Sequence, residues 1–374
     1  MSNAHLITCQ STTDYSTFIT NGFAGLYPIT VEPNNTEQNN SGNERKLAAK
    51  IGTNWDVIAD LKRVKSGDVV FLHVRNDKIY GPFLSTSHFL ESPTIPGVFK
   101  SVNLRIEYWI EHYDEPNFVD PYPWRIGIKS IDDVTFENGF NSMELFKRKT
   151  VGSIHTIPER FLYHDKPKIV KPLLNHEAEI IRNILSKVSP KMPLSFLSNP
   201  LEGYEPITLN LRPYNGGEVY REKILEAWLM ENVTFNGDNR CEYDNIKQIF
   251  GEVNHFVNSI YTYYTNFMDV LFYNESLTPV NEYCNICGKY TSQNKTHISV
   301  IELKKGVVDL GTMQQLREYG DWALHALANN DTTKIKMHAI GATFNEDVME
   351  IRDIALIRYT LHDERPFLRL EKIN

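Results

Sequence analysis

The segment HISVIELKKG, residues His297–Gly306, constrains the fold of this chain more than any other segment. Its run of Ile, Val and Leu is typical of a buried strand. Because side chains alternate along a strand, Glu302 and Lys304 lie on the same face. An acid and a base that share a face at the end of a buried strand are either a solvated ion pair or part of an active site.

The residues on both sides of this strand predict an α/β fold for the second half of the chain. Apolar runs and amphipathic segments alternate from residue 217 onwards. In chain order they predict a helix at 218–232, strands at 266–274 and 297–305, a helix at 312–329, a strand at 334–344, a helix or turn at 345–353 and a strand at 354–361. This succession indicates a mixed sheet flanked by helices.

The first half has a different pattern, which predicts a small, mostly β domain. Asn54 precedes a short amphipathic helix, and the turn SGD follows it. The runs VVFLHV and KIYGPFLSTS, separated by RND, are typical of a hairpin. Because 374 residues are many for one core, we predict two domains, 1–160 and 217–374. Residues 161–216 are then a basic, Pro-rich linker that contains one helix.

Composition and charge argue against several classes of protein. No run approaches the ~20 apolar residues of a membrane span, and the first ten residues lack a secretory pattern. Four cysteines in so long a chain do not make a disulfide framework, which favours a cytoplasmic protein. The net charge of −8 argues against nucleic-acid binding, but residues 145–171 carry seven Lys or Arg against two acids. That segment is either a strip that follows phosphates or a solvated linker.

An acidic residue interrupts each of two apolar strands in the second half. Asp269 lies in the run FMDVLFY, and Glu302 lies in the next predicted strand. A buried carboxylate is costly without a partner, so the two acids require a cation. Oxygen ligands suit Mg²⁺ or Mn²⁺, and Lys304 is placed to polarise a water and to offset charge on a phosphate. Gln315 and Tyr319, four residues apart, share one face of the following helix.

This order of residues resembles the pattern of the PD-(D/E)XK nucleases: Asp, then Glu-x-Lys on the next strand, then Gln-x-x-x-Tyr on the next helix. The form VIELKKG…QQLREY is most similar to the NucS-type DNA endonucleases and their restriction-endonuclease-like relatives. The helix EKILEAWLMEN resembles the first core helix of that family. The resemblance covers about residues 217–345, and it implies a nuclease domain that hydrolyses phosphodiester bonds.

The resemblance also implies a role for each residue of the pattern. Asp269, Glu302 and the main-chain carbonyl of Leu303 would bind Mg²⁺ or Mn²⁺. Lys304 would orient or activate the attacking water.

Four further residues would support this centre. Glu222 would hold the metal or its waters, and Glu226, one turn later, is the second choice for that acid. Gln315 and Tyr319 would steady the site or touch the DNA backbone.

Each of these residues also has a purely structural interpretation. The Glu–Lys pair of the strand can be a surface ion pair that contributes under about 1 kcal/mol. Gln315 can close a capping box with Thr312, since T-x-x-Q is that pattern. Tyr319 can be a core residue, and Glu222 can belong to an exposed row of acids on its helix.

Cys284 and Cys287 form a single C-x-x-C pair, which is half of a zinc site. Cys241, His255 and His297 are the remaining candidate ligands, but their spacing matches no standard zinc ribbon. Two free thiols are the preferred interpretation, and a structural Zn²⁺ is the alternative.

The first half resembles the EVE and YTH domains of the PUA-like superfamily. The resemblance rests on SGDVVFLHVRNDKIYGPF followed by YPWRIGIKSI, and it covers about residues 1–160. It implies a small β-barrel that takes a flipped, modified base into an aromatic pocket. Trp55, Trp109 and Trp124 are the candidate walls of that pocket, with Trp55 favoured, and core packing is the alternative for each.

Together the two resemblances predict a Mg²⁺-dependent endonuclease that an N-terminal reader directs to modified or unusual DNA, for restriction, defence or repair. Cutting both strands would call for a homodimer. The alternatives are a PUA-like nucleic-acid reader on an inactive nuclease scaffold, and a nuclease that acts on RNA or branched DNA.

Overall fold

A computed structural model of the chain describes residues 3–9, 11–26, 55–86, 102–105, 108–112, 115–121, 124–132, 134–150, 154–157, 170–194, 206–209, 214–262, 267–273, 297–328, 330–364 and 367–374. These residues form several sheets with helices packed against them. The predicted mixed α/β class is therefore confirmed.

A seven-stranded sheet organises the first half. The elements are β1 (Ala4–Cys9), α1 (Thr12–Asn21), β2 (Phe23–Leu26), α2 (Trp55–Arg63), β3 (Val69–Val74), β4 (Lys78–Ser85), β5 (Val102–Arg105), β6 (Tyr108–His112), β7 (Glu115–Pro121), β8 (Trp124–Ser130), β9 (Val134–Phe136), β10 (Phe140–Asn141), α3 (Met143–Thr150), β11 (Val170–Leu173), α4 (Asn175–Val188), β12 (Lys191–Pro193) and β13 (Pro206–Leu209). The strand order is β11-β1-β3-β4-β8-β2, with β10 beside β4. Only β1 and β3 pair in parallel in this described sheet.

The predicted hairpin and the helix before it are confirmed. β3 and β4 pair antiparallel, and Asn76 in the turn between them has φ 58°, a conformation that Asn tolerates. Helix α2 buries Ile58 and Leu61, the apolar face that its sequence predicts.

Part of the predicted linker belongs to the first sheet. β11 pairs with β1, so it forms an edge of the sheet as described. Helix α4 follows at once and buries Ile181 and Leu185 in a cluster with Leu6 and Phe71. Residues 170–188 are thus held in the first half by strand pairing and by apolar packing.

A six-stranded mixed sheet organises the second half. The elements are β14 (Tyr214–Asn215), β15 (Glu218–Val219), α5 (Glu222–Asn232), α6 (Arg240–Phe250), β16 (His255–Tyr261), β17 (Phe267–Tyr273), β18 (Ile298–Leu303), β19 (Val307–Val308), α7 (Leu310–Ala326), a 3-10 turn (Thr332–Lys334), β20 (Ile335–Gly341), β21 (Thr343–Phe344), α8 (Glu346–Met349), β22 (Ile354–Leu361) and β23 (Leu368–Lys372). The strand order is β16-β17-β18-β20-β22-β23. β18, β20 and β22 are parallel, and the other neighbours are antiparallel.

Strand β18 lies inside this sheet, and all six of its residues are buried. Helix α7 supplies the crossover that a parallel β18–β20 pair requires. The helix approaches the sheet closely at Gly320, where a Cβ would come within 2.7 Å of the Met337 sulfur. The sequence predictions of β17, β18, α7 and β20 are confirmed.

Two elements between α5 and β17 were not predicted from the sequence. Helix α6 buries Ile246 and Phe250, and β16 pairs antiparallel with β17 along seven residues, His255–Tyr261. β16 places Phe256, Asn258 and Ile260 in buried positions, and the polar Asn258 breaks the apolar pattern by which a strand is recognised. None of the helices in the described ranges is long and apolar enough to cross a bilayer.

The two halves share a hydrophobic core. One cluster contains Ile58 and Leu61 of α2 together with Leu225 and Trp228 of α5. Polar contacts cross the same interface: the Lys62 ammonium lies 3.0 Å from a Glu231 carboxylate oxygen. Helices α2 and α5 therefore join the first sheet to the second.

Candidate active site

Asp269 and Glu302 meet at the point where β17 and β18 pair. The β17–β18 pairing ends at Val270 and Ile301, and Asp269 and Glu302 are the next residue of each strand, close enough for the charge of Asp269 to act on Glu302. The backbone N–H of Leu303 donates a 2.9 Å hydrogen bond to Asp269 Oδ2. The structure therefore brings together the two acids that the sequence places in separate apolar strands.

Glu302 is almost fully buried, with 2% of its side chain exposed. Its Oε1 accepts a 2.6 Å hydrogen bond from Lys304 Nζ. Its Oε2 is also buried and has no hydrogen-bond partner in the described part of the chain. Buried carboxylate oxygens are normally paired, so Oε2 is a free ligand position.

Burial and charge perturb the pKa of each group at this point. Burial, followed by the charge of Glu226, raises the pKa of Asp269 to about 6, although Lys223 and the Leu303 N–H oppose the shift. Burial and the charge of Asp269 hold the pKa of Glu302 well above its usual range. Burial lowers the pKa of Lys304, but Glu302, Glu222 and Asp269 outweigh it and raise the value. Such mutual perturbation is characteristic of functional sites.

The first turns of helix α5 complete the cluster. Glu222, its first residue, is half-buried and close enough for its charge to act on both Glu302 and Lys304. Glu226 is buried one turn later and accepts a hydrogen bond from Lys223 Nζ. Lys223 Nζ also lies 4.0 Å from Asp269 Oδ1. The structure thus places both candidate acids of α5 beside the strand acids.

Two further residues, Lys223 and Asn258, contact these acids and were not predicted from the sequence. Lys223 stands between the two acids at helical spacing, where it looks like an ordinary surface lysine. Asn258 donates from Nδ2 to Glu226 Oε1, and it is fully buried in β16. A buried Asn in an apolar strand is the signal that would have found it, had β16 been recognised.

Gln315 and Tyr319 form a chain of hydrogen bonds that leads to β17. Gln315 Nε2 donates to the Tyr319 hydroxyl at 2.5 Å, and that hydroxyl donates to the Phe267 carbonyl at 2.7 Å. Tyr319 is fully buried. The pair therefore fixes α7 to the strand that carries Asp269.

The capping-box interpretation of Gln315 is wrong. Helix α7 begins at Leu310, and its N-cap is Asp309, whose carboxylate accepts from the Thr312 N–H at 2.8 Å. Thr312 is the third residue of that helix, so the box is closed by Asp309 and Thr312. Gln315 lies three residues beyond Thr312, outside the box.

Replacing Tyr319 by Phe is expected to lower the free energy of unfolding by about 1–3 kcal/mol, because the partly buried Phe267 carbonyl and Gln315 amide each lose a hydrogen bond. Chemical denaturation measures this change. If Tyr319 acts only through structure, any cleavage that the chain performs should persist in the folded variant. A variant of wild-type stability would contradict the hydrogen-bond chain.

Of the predicted tryptophan walls and the C-x-x-C pair, the structure describes the side chain of Trp55 alone. Trp55 is buried in the shared core at the start of α2, so little of its ring is free for a base. The side chains of Trp109 and Trp124 lie outside the described residues, and so do Cys284 and Cys287. The base-pocket and zinc hypotheses stay predictions.

The acidic cluster is defined by four carboxyl and two ammonium groups: Asp269, Glu302, Glu222, Glu226, Lys223 and Lys304. Fully ionised, it carries two negative charges in excess, which is the charge that one divalent cation neutralises. Its ligand atoms are hard oxygens, which suit Mg²⁺ or Mn²⁺. The unpaired Glu302 Oε2 supplies a free ligand atom, so the donor chemistry of the cluster fits such an ion. As placed here, no group of three or more His, Cys, Asp or Glu side chains in the described ranges could hold a metal ion, so the carboxylates would have to draw together around it.

No protein-family model matches the chain, and no curated protein sequence matches it significantly.

Proposed function

We propose that this chain is a divalent-metal-dependent nuclease that hydrolyses phosphodiester bonds in DNA. The observation that carries the proposal is the acidic cluster itself. Two carboxyl groups lie at the same end of the adjacent strands β17 and β18, an ammonium group lies 2.6 Å from one of them, and the ionised cluster has a surplus of negative charge. Buried acids of this kind cost stability, so a function for them is the economical explanation.

Each residue of the cluster has a chemical task in this proposal. Asp269 and Glu302 would hold the ion, with the Leu303 carbonyl as a further ligand. A bound Mg²⁺ would supply Lewis-acid stabilisation of charge on the phosphate. Lys304, kept protonated by Glu302, would orient the attacking water or neutralise the developing negative charge. Glu222, half-buried at the start of α5, would accept hydrogen bonds from water next to the ion.

More specifically, we propose that the second half is a restriction-endonuclease-like domain of the PD-(D/E)XK nucleases. The order of the residues supports this assignment. The acids lie on α5, β17 and β18, Lys304 follows β18, and the Gln-x-x-x-Tyr pair lies on α7, as the resemblance requires. The PUA-like reader, the modified DNA substrate and the homodimer are further parts of the same proposal.

The test is incubation of the purified chain with supercoiled plasmid, linear duplex, single-stranded DNA and RNA, each with Mg²⁺, Mn²⁺ or Ca²⁺ and with EDTA. Cleavage is expected with Mg²⁺ and Mn²⁺, and EDTA should abolish it. Cleavage that survives EDTA would overturn the metal-dependent mechanism. Binding of nucleic acid without cleavage in any cation would instead favour a reader on an inactive scaffold.

A further inference from the structure

Lys223 links two carboxylates of the acidic cluster. It lies in the first turn of α5, and 28% of its side chain is exposed. Its Nζ donates to Glu226 Oε2 and lies 4.0 Å from Asp269 Oδ1. Lys223 is therefore shared between a buried acid and a proposed metal ligand.

Of the ion pair between Glu226 and Lys223, the acid is held far more firmly than the lysine. Glu226 is 1% exposed, and its other oxygen, Oε1, accepts from Asn258 Nδ2. Asn258 is fully buried in β16 and also lies 3.3 Å from Asp60 Oδ1 of helix α2. Asp60 in turn accepts a 3.0 Å hydrogen bond from Arg63 Nη1. Glu226 is thus fixed by buried partners from both halves, and the flexible, partly exposed member of the pair is Lys223.

We propose that Lys223 is an internal counter-ion for Asp269 that moves fully onto Glu226 when a divalent cation takes its place. The inference rests on the proposed nuclease function and adds to it a lysine that sets the metal affinity of the cluster. Glu226 is the residue that positions Lys223. Asn258 and Asp60 hold Glu226 in place.

Charge competition is the physical basis. An ammonium group and a divalent cation cannot both lie against Asp269 without repulsion, so Lys223 weakens metal binding as long as it stays there. Glu226 draws Lys223 away and reduces that competition. An opposite charge within ~4–6 Å changes the proton affinity of a carboxylate tenfold or more, so metal affinity should respond by about tenfold as well.

The test is a double-mutant cycle read by Mn²⁺ binding in the absence of DNA, with isothermal titration calorimetry. Lys223→Met should bind Mn²⁺ about tenfold more tightly. Glu226→Gln should bind it more weakly, because Lys223 then pairs with Asp269 alone. In the Lys223→Met background, Glu226→Gln should have little further effect, since Glu226 acts through Lys223. Additive effects of the two substitutions would overturn the positioning role of Glu226.

Cleavage provides the second measurement. Lys223→Met should reach its full cleavage rate at a lower Mn²⁺ concentration than the wild-type chain, a change that general damage to the fold does not produce. Lys223→Gln, which keeps a donor for Glu226, replaces it if Lys223→Met is unfolded by circular dichroism. Lys305→Met, at an exposed neighbouring lysine, is the matched control and should leave both measurements unchanged.

The outcomes separate the two proposals. If the wild-type chain neither binds Mn²⁺ nor cleaves DNA, the nuclease function itself fails. If the wild-type chain does both and the folded Lys223 variants match it in both, only the counter-ion inference fails.

Discussion

Replacing Glu302 by Gln is expected to lower metal-dependent cleavage by about a thousandfold or more while leaving the folded state equally stable or more stable. The substitution removes a ligand charge from the proposed metal centre, and a bound metal contributes several kcal/mol of transition-state stabilisation. The same change removes a carboxylate that is costly to bury, because burial raises the pKa of Glu302 well above its usual range. Lys304 loses its partner, but 24% of its side chain is exposed, so water can solvate its ammonium.

A cleavage assay with Mn²⁺ and a thermal melt without metal measure the two effects. Glu364→Gln is the matched control, since Glu364 is exposed in a turn of the second half, and it should change neither quantity. Full cleavage by Glu302→Gln would place the chemistry elsewhere in the molecule. A large fall in melting temperature would show instead that the ionised carboxylate stabilises the fold.

Replacing Arg63 by Met is expected to lower the free energy of unfolding by about 3–5 kcal/mol, because it removes the cation that pairs with the buried Asp60 carboxylate. The Arg63 side chain is 0% exposed and that of Asp60 6%. Arg63 also donates to His5 Nδ1 at 3.4 Å and to the Val170 carbonyl at 3.2 Å. Its loss therefore removes hydrogen bonds from polar groups in both α2 and the first sheet.

Arg182→Met is a closely matched control. Arg182 and Glu179 have the same i,i+3 spacing and the same 3.0 Å separation as Arg63 and Asp60, but their side chains are 39% and 57% exposed. An exposed helical pair of this kind contributes about 0.5 kcal/mol or less. Urea denaturation of both variants measures the difference that burial makes. Equal effects would mean that the Arg63 network does not stabilise the protein.

The local sequence pattern predicted the site residues that lie on or beside strands. Asp269 and Glu302 each interrupt an apolar run, and strand alternation put Glu302 and Lys304 on one face, as the 2.6 Å contact between them confirms. The contributions of α5 were harder to predict, because which of its residues face the sheet depends on how the helix packs. The structure places Glu226 in a buried position and leaves Glu222 half-buried.

Long-range pairing limited the prediction of the first half. β11 reads VKPL, which contains Lys and Pro and has no alternating pattern. Its place in the sheet depends on pairing with β1, more than 160 residues earlier, and no local signal specifies such a contact. The Asp60–Asn258 contact joins α2 to β16 in the same way. Individual elements were therefore easier to predict than the contacts between distant segments.

The packing of α2 against α5 restricts how this protein can change in evolution. A reader and a nuclease joined by a flexible tether can be exchanged as modules, because neither depends on the surface of the other. Here Ile58 and Leu61 are buried against the helix that begins with Glu222. Any new partner for the second half would have to supply an equivalent apolar helix and an equivalent of Asp60. Recombination at the middle of this gene would thus disturb the positions of the acids on α5.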